Sequence, residues 1–418
     1  MRPATSKNSR PLRVLHCPWN VAGNPGALAR AERQLGVDSH CIEIVLNEYE
    51  FKADETLGIS AMGALGKELQ RWHLLWRAMR HFDVIHFNFG QTILMTERYP
   101  DPQLSQGKGL WGKCKLFFRR QLWLADLPLL KFLGKGIVMT YQGDDARQGD
   151  ECRRRFAVTA ANYVGTDYYN PMTDTWKRKA IAKVARYADR IYALNPDLLH
   201  VLPPQARFLP YANVDPREWT VPRPTPNTIP VVVHAPTHRG VKGTEFVMEA
   251  VRRLHSEGIP FQFQLIENLL HTEARQFYER ADVLVDQLLL GWYGGLAVEF
   301  MALQKPVVCY LRDEDLNFLP PSMRAELPIV NANQTNLYEV LKDLLTIRRT
   351  ELAEIGRRGR AYVERWHDPV QIAHELAHEY HAIANRRWKP KLSSVEQRSS
   401  SQSMVRANHG EINEKAET

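Results

Sequence analysis

The stretch from Val231 to Tyr310 constrains the fold most. It reads VVVHAPTHRGVKGTEFVMEAVRRL, then FQFQLIENLLHTEARQFYERADVLVDQ, then GWYGGLAVEFMALQKPVVCY. Each piece combines an apolar strand, a polar or glycine-rich turn and the start of a helix. IPVVVHAP is nearly continuous in apolar residues, as expected of a strand covered on both faces. Repeated strand–turn–helix units predict a parallel α/β sheet, whose ligands collect at the carboxyl ends of its strands. Arg239, Lys242, Gly243, Glu267, Gly294, Gly295 and Glu299 fall at those ends. A cationic loop at a helix start suits a diphosphate: Arg239 offers a planar fork, Lys242 a mobile point charge, and the helix end its oriented N–H groups. The plainer alternative is a pair of solvated surface cations. Thr244 is placed to cap the helix that follows.

With 418 residues the chain exceeds one ordinary core, so two domains are expected. A net charge of +8 favours anionic partners such as nucleotides, a membrane surface or nucleic acid, without choosing among them. The five cysteines are scattered, odd in number and free of CxxC spacing. That argues against a disulfide framework or a zinc site, and for a reducing cytoplasm. No apolar run is long enough to span a membrane. Residues 1–10 are polar and basic, read as a disordered lead-in without the apolar core of a signal peptide.

The first domain, residues 11–222, opens on the strand RVLHC, followed by a turn holding Gly23, Asn24 and Gly26 and then a helix. Such a turn lets backbone N–H groups approach a phosphate or sugar, although GNPGALAR is not G-x-G-x-x-G. The helix around residues 66–82 carries Trp72, Leu74, Leu75, Trp76 and Met79, expected to pack in the core. FDVIHF is the next buried strand and carries His86 and Asn88 toward the carboxyl edge, opposite the glycine-rich turn; His86 is either structural or catalytic. GIVMTY ends in QGDDAR. There Asp144 and Asp145 suit sugar-hydroxyl binding or a helix cap better than a metal, since no third ligand is in sequence range.

Residues 104–135 interleave Trp111, Phe117, Phe118 and Trp123 with Lys113, Lys115, Arg119 and Arg120. An apolar body with basic flanks is the pattern of a helix lying on an anionic membrane surface. It equally fits a helix packed on the sheet, and basic–aromatic interleaving also occurs in single-strand binders. No other feature supports nucleic acid.

Prolines 216, 222, 224, 226 and 230 mark an interdomain linker. The second domain, residues 223–368, ends at Trp366-His367-Asp368-Pro369, where proline interrupts a helix. Residues 369–387 resume as a helix. Residues 388–418 are rich in Ser, Lys and Glu, and read as a disordered tail.

The second half resembles the donor half of family 4 retaining glycosyltransferases of the GT-B fold. The resemblance rests on R-x-x-K-G-T from Arg239, on ADVLVDQ, and on the run from Gly291 through Glu299 to Val308. It implies an α/β architecture of two facing Rossmann-like domains with a C-terminal crossing helix. Arg239 and Lys242 would neutralise the donor diphosphate as the sugar leaves, with His86 or Asn88 near the donor sugar. Glu299 falls on the second Glu of the E-x7-E motif, which holds ribose hydroxyls. Gly23, Asn24, Gly26, Glu267, Gly294 and Gly295 would surround the donor, and Asn88, Asp144 and Asp145 the acceptor. Position 291 departs from the motif: Gly291 stands where its first Glu belongs. The family implies metal-independent transfer from a nucleotide-sugar to a glycan or lipid-linked saccharide, without a further cofactor, by a cytoplasmic protein that is peripheral on the membrane if residues 104–135 bind it. The competing readings are a sugar-nucleotide epimerase or hydrolase on the same fold, and a non-catalytic GT-B scaffold.

Overall fold

The computed structural model describes residues 10–47, 49–94, 117, 121–220 and 228–385. Residues 104–116 and 118–120 of the 104–135 segment, part of the proline-rich linker, residues 1–9 of the lead-in and the tail beyond 385 lie outside the described residues.

The chain forms two parallel sheets. The first has seven strands: β1 (Arg13–Cys17), β2 (Asp38–Glu43), β3 (Glu55–Thr56), β4 (Val84–Asn88), β5 (Gly136–Tyr141), β6 (Arg190–Ala193) and β7 (Arg207–Phe208). Their order is β3-β2-β1-β4-β5-β6-β7. The second has five: β8 (Val231–His234), β9 (Gln262–Leu265), β10 (Val283–Val285), β11 (Val307–Cys309) and β12 (Val330–Asn331), ordered β12-β11-β10-β8-β9. In each sheet the chain runs outward from its first strand and then returns to that strand's other side. The reversals lie between β1 and β4 and between β8 and β10, where doubly wound sheets open a crevice at their carboxyl ends.

Both sheets are covered on two faces, which explains their apolar strands. Side chains alternate across a strand. Leu15, Ile85, Phe87, Ile137 and Met139 meet Leu74, Leu75, Ala78 and Val184 in one core. Their neighbours Val14, Val84 and Val138 face a second core with Leu376, Tyr380 and Ile383 of the last helix. In the second sheet Val232 and Val285 pack with Val247, Val251 and Leu254, whereas Val233 and Leu284 face Phe300 and Met301.

Two local expectations are corrected. Trp72 and Trp76 are not core residues: they are 43% and 48% exposed, on the face of the helix Ala64–His81 opposite Leu74, Leu75 and Ala78. At 100° per residue, positions 65, 69, 72 and 76 form a single stripe facing away from the sheet. Thr244 does not cap its helix, because its hydroxyl is held by His234 Nε2 at 2.9 Å.

The helix Leu352–Trp366 ends at His367, and the helix Pro369–Asn385 packs on the first sheet. Glu379 pairs with Arg190 at 2.7 Å, and Ile383 lies against Gly136 so closely that a Cβ there would come within 2.6 Å of it. The segment after the helix Gly149–Arg155 crosses the other way. Ala160 N donates to Leu289 O at 3.1 Å, and Arg312 reaches Val158 O at 3.0 Å.

Candidate active site

The carboxyl ends of the two sheets enclose a cavity of ≈ 590 Å³. Lys242, Glu267, His271, Gly295 and Glu299 line it from the second domain. Trp19, Ala22, Tyr49, Phe51 and Phe89 line it from the first.

Lys242 ends a short turn, Arg239–Lys242, that His238 caps by accepting from Val241 N at 3.2 Å. His234, at the end of β8, ties this loop to β10 by bonding Val285 O at 2.8 Å and Thr244 Oγ1 at 2.9 Å. Burial, with the Lys242 charge adding to it, pushes the His234 ring down to about 4 despite the Val285 carbonyl. A neutral ring can therefore sit beneath the cation. Lys242 Nζ donates to Asp286 Oδ1 at 3.0 Å and Gln287 Oε1 at 2.6 Å, both just beyond β10. An ammonium has three N–H donors. The third is left for the cavity.

Gly294 N donates to Asp286 Oδ2 at 2.9 Å, which fixes the glycine-rich turn to the same carboxylate. The helix Gly295–Ala302 begins there, and the helix Asn24–Gln34 begins opposite, at the turn holding Ala22 and Gly23. A Cβ on Gly295 would lie 3.7 Å from the Ala22 Cβ, so the two turns face each other closely. Helix N-termini carry partial positive charge and free N–H groups. This end of the cavity thus gathers one ammonium and the start of the Gly295–Ala302 helix, whereas opposite it the N–H groups of Asn24 and Gly26 are taken by Val21 O and Asn20 Oδ1 and Pro25 has none.

Glu299 is buried on the Gly295–Ala302 helix and accepts from His271 Nε2 at 2.9 Å. Burial would lower the His271 pKa, but the hydrogen bond and charge of Glu299 outweigh it and raise the value. The His271 ring lies 4.6 Å from the Phe51 ring of the first domain, and Phe51 lies in turn against Gly23. A side chain at Gly26 would come within 2.5 Å of Lys52 O, so residues 49–52 can close over the turn only if position 26 is glycine.

Other residues singled out by sequence lie elsewhere. Arg239 is exposed, paired with Glu245 and with Glu267, at 3.0 Å each, outside the cavity lining. Asn24 is buried, its Oδ1 accepting from Ala212 N at 2.6 Å. His86 sits mid-strand beneath the last helix, its nitrogens meeting Tyr380 Oη at 2.6 Å and Thr140 Oγ1 at 2.7 Å. Burial, reinforced by His16, holds its pKa well below the usual range. Tyr380 also meets the buried Glu32, so this cluster joins the last helix to the first sheet. Asn88 is buried and donates to His86 O. Asp144 accepts from the Tyr168 and Tyr169 hydroxyls. Burial raises its pKa, yet Arg147 and those hydroxyls bring the net value down. Asp145 accepts from Gln142 N and Gly143 N, capping its own turn. Burial, with Asp144 adding to it, pushes Asp145 up to about 6 against those backbone bonds.

Gly291 has φ +83°, and a Cβ there would fall within 2.6–2.9 Å of three Arg312 atoms. That arginine is committed to Asp315 at 2.5 Å, to Val158 O and to the Phe156 ring, 3.6 Å from its centroid. The position where the motif carries its first carboxylate has no room for one in this chain.

Comparison with solved structures places the architecture. Sucrose-phosphate synthase from Thermosynechococcus elongatus aligns over 90% of this chain and 99% of its own, with TM-score 0.54 and 14% identity. A glycosyltransferase from Rickettsia africae aligns over 90% and 100%, with TM-score 0.55 and 10% identity. The fold is GT-B. HepE of Anabaena, solved with UDP and glucose, aligns over 89% and 100%, with TM-score 0.53 and 12% identity. No family model and no curated protein matches the sequence.

Sequence reasoning missed His271, Asp286, Gln287 and the aromatic wall. Asp286 and Gln287 close the run ADVLVDQ and are readable as strand-end residues. His271 meets Phe51, and Trp19 joins them in one lining, only through the facing of the two domains, and no local pattern announces that.

Proposed function

We propose that this chain is a retaining glycosyltransferase that moves a sugar from a nucleotide-diphosphate sugar to a glycan or lipid-linked saccharide. One observation carries the reading: Lys242, the start of the Gly295–Ala302 helix and Glu299 share a single cavity between the carboxyl edges of two parallel sheets. The spare Lys242 donor and the start of the Gly295–Ala302 helix bind the diphosphate and stabilise the charge that builds on it as the bond to the sugar carbon breaks. Glu299, with Oε1 held by His271, keeps Oε2 to accept from a ribose hydroxyl. The acceptor hydroxyl attacks the face the diphosphate leaves, and its proton passes to the departing phosphate oxygen. Configuration is thereby retained without a protein nucleophile. Arg239, spent on Glu245 and Glu267, supports the loop from outside, and Asp144 and Asp145, outside the cavity lining, are assigned to the acceptor as part of the same proposal. The reaction needs no metal and proceeds unchanged in a chelator.

HepE was solved with UDP and with UDP-glucose, so these are the first donors to try. Incubation of UDP-glucose with and without an acceptor panel tests the reading. Acceptor-dependent UDP release supports transfer; release without acceptor supports an epimerase or hydrolase; donor binding without any release supports a scaffold.

Attachment to an anionic membrane through residues 104–135 is part of the proposal. Co-sedimentation with anionic vesicles, weakening as salt rises, is the expected result. Among the described residues no helix is long and apolar enough to cross a membrane.

A further inference from the structure

The two walls of the cavity differ in chemistry. The second-domain wall carries Lys242, Glu267, His271 and Glu299. The first-domain wall, among the described residues, has no charged side chain and is built largely of the rings of Trp19, Tyr49, Phe51 and Phe89. Its amides are Asn47 and Gln91. Asn47 is spent on its own loop: its Oδ1 accepts from Tyr49 N and Phe51 N, and its Nδ2 reaches Glu43 Oε2 and Phe51 O. Phe51 is occupied by His271. Trp19 and Phe89 remain as the open aromatic surface, with Gln91 as the spare amide.

Their positions matter. Trp19 follows β1 and Phe89 follows β4, so the pair flanks the reversal point of the first sheet. Phe89 also has left-handed backbone, φ 58°, which a bulky side chain adopts only at a cost. Ala22 and Asn268, with φ 52° and 57°, line the same cavity. Non-glycine residues held in that region gather at binding sites, where the fold spends stability on placing a side chain.

We infer that Trp19 and Phe89 form a subsite for an uncharged acceptor that carries its reacting hydroxyl beside an apolar or aromatic body, such as a lipid-linked or aryl-linked sugar, rather than a free or anionic saccharide. A charged ligand would lose water against this uncharged wall and find no countercharge on it, and a free saccharide would meet the rings only through its C–H faces, with Gln91 as the spare amide. An apolar body gains by the same burial. The inference rests on the transferase reading, which assigns the opposite wall to the donor.

The test is calorimetry on the full chain with saturating UDP. Octyl β-glucoside below its micelle concentration is compared with glucose and glucuronate. Burial of the alkyl chain is expected to make octyl glucoside bind at least about tenfold tighter than either. Trp19→Ala and Phe89→Gly should each weaken octyl glucoside about tenfold and leave UDP affinity within about twofold. Phe89→Gly relieves the left-handed backbone but also removes a half-buried ring, so retained UDP affinity, rather than Tm, is what shows that loss of fold does not explain its weaker binding. Equal affinity for glucose and octyl glucoside would overturn the inference, as would variants that bind octyl glucoside normally. If wild type fails to bind UDP but retains octyl glucoside through Trp19 and Phe89, the donor reading falls and the apolar subsite stands.

Discussion

His271 donates from Nε2 to Glu299 Oε1 at 2.9 Å. The bond joins the start of one helix to the middle of the next, and its histidine also touches Phe51 across the cleft. The residue proposed to hold the ribose and the contact between the two domains therefore meet at one side chain.

The pair makes stability depend on pH. The folded pKa of His271 is raised, because Glu299 outweighs both burial and the nearby Arg275 charge. Its contribution is fully present below the unfolded value of about 6.5 and is lost as pH rises through the raised folded value. His271→Gln keeps a donor but cannot titrate. The Tm of wild type relative to His271→Gln should fall as pH rises through that window; parallel Tm curves would exclude the coupling.

Lys242 and Asp286 form a largely buried ion pair, 13% and 1% exposed at their side chains. Lys242→Ala leaves Asp286 without its cation, though Gly294 N remains. Leaving a buried acceptor short of a partner costs about 1–3 kcal/mol. Adding Asp286→Asn should recover much of that stability in chemical denaturation without restoring UDP binding. Recovery of both would mean that Lys242 acts on the fold alone.

Gly291→Glu restores the motif's letter but not its geometry. The left-handed backbone alone costs about 1–3 kcal/mol for a non-glycine residue, and the new Cβ displaces Arg312 from its packing on Phe156. Lower Tm with no gain in UDP-glucose turnover is expected, and a gain would show that the missing carboxylate limits this chain.

On the helix Ala64–His81, Trp72→Ala and Trp76→Ala should change stability by no more than about 0.5 kcal/mol, as exposed positions do. Leu74→Ala, fully buried, should cost about 2–5 kcal/mol. Denaturant titrations separate these.

Much of the fold was legible in the sequence because parallel strands covered on both faces leave unbroken apolar runs such as IPVVVHAP and GIVMTY. Lys242, Glu299 and Gly295 were legible because strand–turn–helix units bring their turns to one edge of the sheet. Trp72 and Trp76 were not: four of five apolar side chains sit in consecutive or near-consecutive positions, and only the helix's orientation on the sheet separates Leu74 from its tryptophan neighbours. His86 follows a similar logic. A strand end announces a ligand only when the side chain points past the edge, and the last helix, far away in sequence, covers His86 instead. Gly291 was visible as a departure, whereas its cause, Arg312, needed the packing.

In the proposed reaction Lys242 and Glu299 hold the two ends of one nucleoside diphosphate. Calorimetric titration of UDP into wild type, Lys242→Ala and Glu299→Ala tests it most directly. Saturable binding to wild type and a loss of about tenfold or more in each variant are expected, as when a charge-assisted contact is removed. No binding to wild type, or equal affinity in all three proteins, would contradict it.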